Sequence, residues 1–130
     1  MKTTRWTAVI VLGLMFAVGA CARNAKPSTG EVSPTAGSVA VIVTNNNLAD
    51  VDVYAIADGG MRLRLGTVTA VSSATLTARP SMFATGTLRL VASPIGGRGL
   101  ARTDPLLVAG GQTVNFTILP NLAASFGTVQ

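Results

Sequence analysis

The chain contains no histidine, and that absence closes off much of enzyme chemistry. Histidine-based triads, imidazole acid–base work and histidine metal sites are all excluded. Cysteine is nearly as scarce. Cys21 stands alone, so no internal disulfide can form. Glu31 is the only glutamate, and beyond Lys2 the only lysine is Lys26. A Ser–Lys dyad is therefore unavailable in the later part of the chain. Proton transfer there would fall to Asp50, Asp52, Asp58 and Asp104 alone. The expectation is a non-catalytic protein with no cofactor and no bound metal.

Charge and aromatic rings are also in short supply. Charged residues make up 12% of the chain, against the ~25% usual in soluble domains. After residue 20 the only aromatic residues are Tyr54, Phe83, Phe116 and Phe126. Sugar-binding platforms need exposed rings, so this poverty weighs against a carbohydrate site. The net charge is +5, but Lys2 and Arg5 lie in the N-terminal segment. From Ser38 to Pro120 there are six arginines and four aspartates. That excess is too small for a nucleic-acid stripe, and no nucleic-acid partner is expected.

What is present begins with Met1-Lys2-Thr3-Thr4-Arg5, two cations without an acid. Trp6 to Ala20 then carries no charge. This run is shorter than the ~20 residues a membrane-spanning helix needs and fits a signal-peptide core. It ends in Val18-Gly19-Ala20-Cys21. An aliphatic residue, two small residues and a cysteine at that place resemble the lipobox of bacterial lipoprotein precursors. The resemblance implies cleavage before Cys21, a thioether-linked diacylglycerol on its sulfur, and an added acyl chain such as palmitate. Two or more chains, at ~0.8 kcal/mol per buried CH₂, hold a protein firmly to a bilayer. Ala22 stands where an aspartate retains such proteins at the inner membrane. The expected location is thus the cell envelope, on the periplasmic face of the outer membrane in a diderm host.

Residues 22–37 hold Arg23, Asn24, Lys26, Pro27, Ser28, Gly30, Glu31, Ser33 and Pro34 without apolar periodicity. Such a stretch cannot bury enough surface to offset its ordering entropy. It reads as a flexible tether reaching on the order of 20 Å. The division is 1–20 signal peptide, 21–37 lipidated Cys21 and tether, 38–120 folded domain, and 121–130 C-terminal tail.

From Ser38 the hydrophobic period becomes two. Val39, Val41 and Val43 alternate with Ala40, Ile42 and Thr44; Asn45-Asn46-Asn47 then turns the chain. Val51, Val53 and Ala55 form the next inward set, with Asp52 and Tyr54 opposite. Asp58-Gly59-Gly60 signals a hairpin, after which Met61, Leu63 and Leu65 face in and Arg62 and Arg64 face out. Short strands are predicted around Leu76, over Thr87 to Ala92 (Arg89 outward), over Leu106 to Val108, and over Gln112 to Leu119. Pro94 to Gly99 reads as a loop. Asn121 to Gln130 is weakly patterned, with Phe126 covering one end of the core. About seven short strands joined by tight turns suit an all-β, antiparallel β-sandwich. In general shape the body resembles immunoglobulin-like or transthyretin-like domains of bacterial envelope proteins. The run Val53-Tyr54-Ala55 followed by Arg62-Leu63-Arg64-Leu65-Gly66-Thr67-Val68 is similar to segments of small uncharacterised lipoproteins, which implies no activity.

Four constellations bear on function. Asn45, Asn47, Asp50 and Asp52 could offer oxygens to Ca²⁺, but their spacing matches no known loop, and a polar turn is preferred. Arg62, Arg64 and Arg89 share an outer face, suited to gripping an anion or to shielding the strands from edge pairing; shielding is preferred. Gly96-Gly97-Arg98-Gly99 lacks the residues of a phosphate loop. Asn115-Phe116-Thr117 forms a glycosylation sequon in mid-strand and is discounted. An interaction surface is expected at Tyr54, Arg62, Arg64, Arg89 and Val91, joined by Ile56 and Val68 as an apolar patch. The function expected is a lipid-anchored envelope protein that docks a protein partner or supports envelope architecture. The alternative is a carbohydrate- or small-ligand-binding lipoprotein.

Overall fold

Alternating valines make the first strand, and the structure is a sandwich of two sheets built around it. The computed structural model describes residues 37–57 and 59–130. Residues 1–36, on which the predicted signal peptide, Cys21 and nearly all of the predicted tether fall, and Asp58 lie outside the described residues. Nine strands follow in order: β1 (Val39–Asn45), β2 (Val51–Ile56), β3 (Arg62–Val68), β4 (Ser72–Ala78), β5 (Thr87–Pro94), β6 (Ala101–Arg102), β7 (Leu106–Leu107), β8 (Thr113–Ile118) and β9 (Phe126–Val129). One sheet has the order β4-β1-β8-β9. The other has the order β3-β2-β5-β6, with β7 also paired to β5.

Period-two alternation decides which side chains meet between the sheets. Val39, Val41 and Val43 of β1 are fully buried, while Ala40, Ile42 and Thr44 are half-buried. Val53 and Ala55 of β2, Leu88 and Leu90 of β5, and Val114, Phe116 and Ile118 of β8 complete the centre. The core is aliphatic with Phe116 as its largest fully buried side chain. Full burial of such a side chain contributes about 1.5–3 kcal/mol.

The all-β sandwich agrees with the sequence, but several details differ. Nine strands replace about seven, because two lie where no strand is predicted. Ala101–Arg102 pairs with β5 through Val91↔Arg102 and Ala92↔Ala101. Residues 121–130 are not a tail: after a 3-10 turn at Leu122–Ala124, β9 pairs antiparallel with β8. Gln130 and Thr113 close that ladder, each donating its N–H to the other's carbonyl. Phe126 is 51% exposed and caps nothing. Four residues are too few to show a period.

The sheets are not wholly antiparallel either. β1 and β8 run parallel, from Ala40↔Thr113 to Asn45↔Ile118. The turn at Gly110-Gly111 sets β8 beside the start of β1: Gly111 donates its N–H to Ser38 O at 2.8 Å, and Ala40 donates to Gln112 O at 3.1 Å. Met61, expected inside, is 61% exposed beside the hairpin turn.

Val68, placed outside by strict alternation, is buried. A bulge explains it. Val53 pairs with Gly66, but the next residue, Tyr54, pairs with Arg64, so Leu65 is the extra residue. One inserted residue reverses the phase beyond it. Thr67 then faces out beside Asp52, and Val68 faces in beside Val51. Gly66 suits this place because a Cβ there would lie 2.9 Å from Leu76 Cδ2 of the opposite sheet.

Candidate functional site

The outward face of β3-β2-β5-β6 reads as rows across the strands. Arg62 pairs with Ile56, and Ile56 pairs with Arg89. In the next row Arg64, Tyr54, Val91 and Arg102 lie side by side. In the third row Thr67, Asp52 and Ser93 follow. Antiparallel pairing of strands with matched phase produces these rows. It brings four of the six body arginines to one side of one sheet.

These arginines divide into two kinds. Arg64 is engaged: its Nη2 lies 2.7 Å from Asp52 Oδ1 and donates to Thr67 Oγ1 as well. Thr67 Oγ1 in turn donates to Asp52 Oδ1 at 2.6 Å, closing a triangle. The hydrogen bond from Thr67, then that from Arg64, holds the Asp52 carboxyl below its ordinary value of 3.8. Arg62 lies with its Cζ 5.5 Å from the centre of the Tyr54 ring, within cation–π range. Arg62, Arg89 and Arg102 make no ion pair among the described residues.

Those three arginines rim a groove of about 430 Å³. Ile56 is its main outward-facing apolar side chain, beside the nearly covered Val91; Leu90, whose side chain lies in the core, lines it with backbone. Thr103, Asp104 and Pro105 form one wall. That wall is a break between two short strands on β5. Thr103 donates its N–H to Leu90 O at 3.0 Å and accepts the Leu90 N–H on Oγ1 at 3.0 Å. Pro105 has no N–H to continue the ladder, so the chain lifts away and rejoins β5 only at Leu106. A second depression of about 340 Å³ adjoins the first, sharing Ile56 and Arg89 and reaching Gly59, Gly60 and Thr87.

The expected interaction surface is thus partly assembled. Tyr54, Arg62, Arg64 and Arg89 share the face, but Tyr54 lies beneath Arg62, and Arg64 is bound to Asp52. Val91 is on this face yet only 6% exposed, flanked by Tyr54 and Arg102. Val68 is inside, so the apolar patch with Ile56 does not form. Arg102, Thr103 and Pro105 were not among the expected residues, and Asp104 was named only as a candidate for proton transfer. Their only signal was the Ala101-Arg102-Thr103 alternation before the Asp104-Pro105 break.

The four oxygen-bearing residues near the first turn do not converge. Asn45 is fully buried; its Nδ2 donates to the carbonyls of Ala49, Val68 and Thr69, and its Oδ1 accepts the Asn47 N–H. Asn47 Oδ1 accepts the N–H of Ala49, and Asp50 Oδ1 accepts that of Ala70. Asp52 belongs to the arginine triangle. At this end of the sandwich Leu48, Val71 and Ile95 are exposed on three different loops. Asp50 is the charged side chain hydrogen-bonded at this end, through the Ala70 N–H.

Comparison with protein families and with curated proteins gave no match. Among solved structures, an NMR structure of a protein from Eubacterium rectale is similar at 11% identity and a TM-score of 0.41, covering 71% of this chain and 87% of that one. What the fold and site define is a class: a small β-sandwich with an arginine-rimmed groove on one sheet.

Proposed function

We propose that this protein is an envelope lipoprotein, anchored through Cys21, whose β-sandwich is a non-catalytic docking module. The convergence of Arg62, Arg89 and Arg102 on one groove carries the reading. Solubility asks for charges that are dispersed and mixed in sign. A body with so few charges instead sets three cations of one sign around the apolar Ile56. Such a surface grips a partner with complementary charge, and bidentate guanidinium contacts give it specificity. The lipobox-like Val18-Gly19-Ala20-Cys21 supports the anchor, and the tether sequence supports a domain spaced from the bilayer. A body without histidine, lysine or cysteine supports a protein that binds rather than reacts.

The test is chemical cross-linking in cells that express the full chain, with mass spectrometry of what is captured. One reproducible envelope protein, absent when Arg89→Glu is expressed at equal level, is the expected result. Capture of the same neighbours seen with an unrelated lipoprotein on the same tether, unchanged by Arg89→Glu, would overturn the docking reading. Cys21→Ser is expected to abolish fatty-acid labelling and to release the protein from the membrane fraction. Continued labelling would refute the anchor.

A further inference from the structure

We infer that the groove takes an extended acidic peptide segment, whose carboxylates meet Arg62, Arg89 and Arg102 while an aliphatic side chain rests on Ile56. The inference builds on the docking reading and gives its partner a chemistry. Three observations carry it.

The first is spacing. Arg62 and Arg89 stand on either side of Ile56 in one row, two strand separations apart. That is about 10 Å between backbones. A single small anion would draw both side chains in over Ile56, whereas a chain bearing several carboxylates can meet each guanidinium where it stands. The two adjoining depressions share Ile56 and Arg89, so the hollow continues along β2 and β5 towards Gly59 and Gly60.

The second is the mixture of donors and acceptors. Asp104 lies in the wall with the arginines. A peptide brings backbone N–H groups, which an acceptor in the wall can take.

The third is the floor. Ile56, with the nearly covered Val91 beside it, gives a small apolar spot between the cations. It suits an aliphatic side chain between acidic ones. A sugar ring would need an open aromatic platform, and the Tyr54 ring is covered by Arg62.

The full chain, purified in detergent, would be titrated into a fluorescein-labelled oligoglutamate peptide and followed by anisotropy. Saturable binding is expected, with none to the matching oligoglutamine peptide and steady weakening as salt is raised. Arg89→Gln and Arg102→Gln should each weaken it roughly tenfold, the loss of one charge-assisted hydrogen bond. Arg98→Gln, outside the groove, should leave it unchanged. Inorganic pyrophosphate and a soluble short-chain phosphatidylglycerol serve as competitors. If either binds in an Arg89-dependent way while oligoglutamate does not, the ligand is a phosphate or a lipid head group and the peptide inference is wrong. Equal weakening by Arg98→Gln would show diffuse charge attraction and also overturn it. Should oligoglutamate fail while the cellular cross-link still depends on Arg89, the acidic-peptide inference falls and the docking reading stands. If the cross-link is also insensitive to Arg89, both fall.

Discussion

Thr103 and Leu90 satisfy one another completely: each backbone N–H reaches an oxygen of the other residue at 3.0 Å, one of them the threonine hydroxyl. The hydroxyl replaces the ladder carbonyl that the break at Pro105 removes. Thr103→Val keeps the shape and deletes the acceptor, leaving a buried N–H unpaired. It should cost roughly 1–3 kcal/mol. Urea unfolding with an unchanged slope and a lower midpoint would verify this, and Thr103→Ser should recover most of the loss.

Asn45 ties two turns together from a fully buried position. Its amide reaches one carbonyl in the β1–β2 turn and two at the end of β3. Asn45→Ala should destabilise by roughly 2–4 kcal/mol, since several buried groups lose partners at once. Asn45→Asp sets an anion against three carbonyl oxygens. Its carboxyl should titrate above the ordinary value when folded, so the variant should lose stability as pH rises from the unfolded carboxylate value through the raised folded one. Thermal melts at acid and neutral pH check the sign: the deficit relative to the parent should be smaller in acid.

Asp52 titrates in the opposite sense. Its folded carboxyl sits below 3.8, through the hydrogen bond from Thr67 and then that from Arg64. The stability this group contributes is present above its unfolded value and is lost as pH falls through the lower folded value. Carbon-detected NMR should find the Asp52 carboxyl titrating below its ordinary value of 3.8. In Asp52→Asn, the acid-dependent loss that belongs to this group should vanish.

Val71 holds φ at 51°, a left-handed conformation that suits glycine or asparagine and not a β-branched side chain. Its side chain is exposed. Its N–H donates to Asn47 O at 3.1 Å, which fixes the turn. Val71→Asn should therefore stabilise the protein by about 0.5–1 kcal/mol, an effect measurable by denaturant titration.

The sandwich was legible wherever alternation ran for five residues or more. Val39 to Thr44 and Val51 to Ile56 have the burial that their spelling implies. Val68 was misread because a bulge is invisible to a period-two count. The extra residue, Leu65, is as apolar as its neighbours, and only the Gly66 beneath Leu76 hinted at a special backbone. β6 and β9 were missed because two or four residues carry no periodicity; pairing with β5 and β8 makes them strands. The arginine face was legible in part for the same reason. Arg62, Arg64 and Arg89 lie on regular strands, so their direction followed from alternation. Arg102 gains its direction only from the register with Val91. Asp52 and Arg64, twelve residues apart, gave no sequence signal that one would neutralise the other and leave three cations for the groove.

The parallel pairing of β1 and β8 has a mechanical consequence. Residues 1–36 join the domain at Gly37, immediately before β1, and β1 is an interior strand held by β4 on one side and β8 on the other. Tension arriving through that junction runs along the strand axis. It loads both ladders in shear, so many hydrogen bonds share the force instead of parting one at a time. An edge strand in that position would peel. An interior strand bears such a pull better than an edge strand, and tugging on residues before Gly37 should leave the arginine groove on the other sheet intact until β1 is drawn out whole.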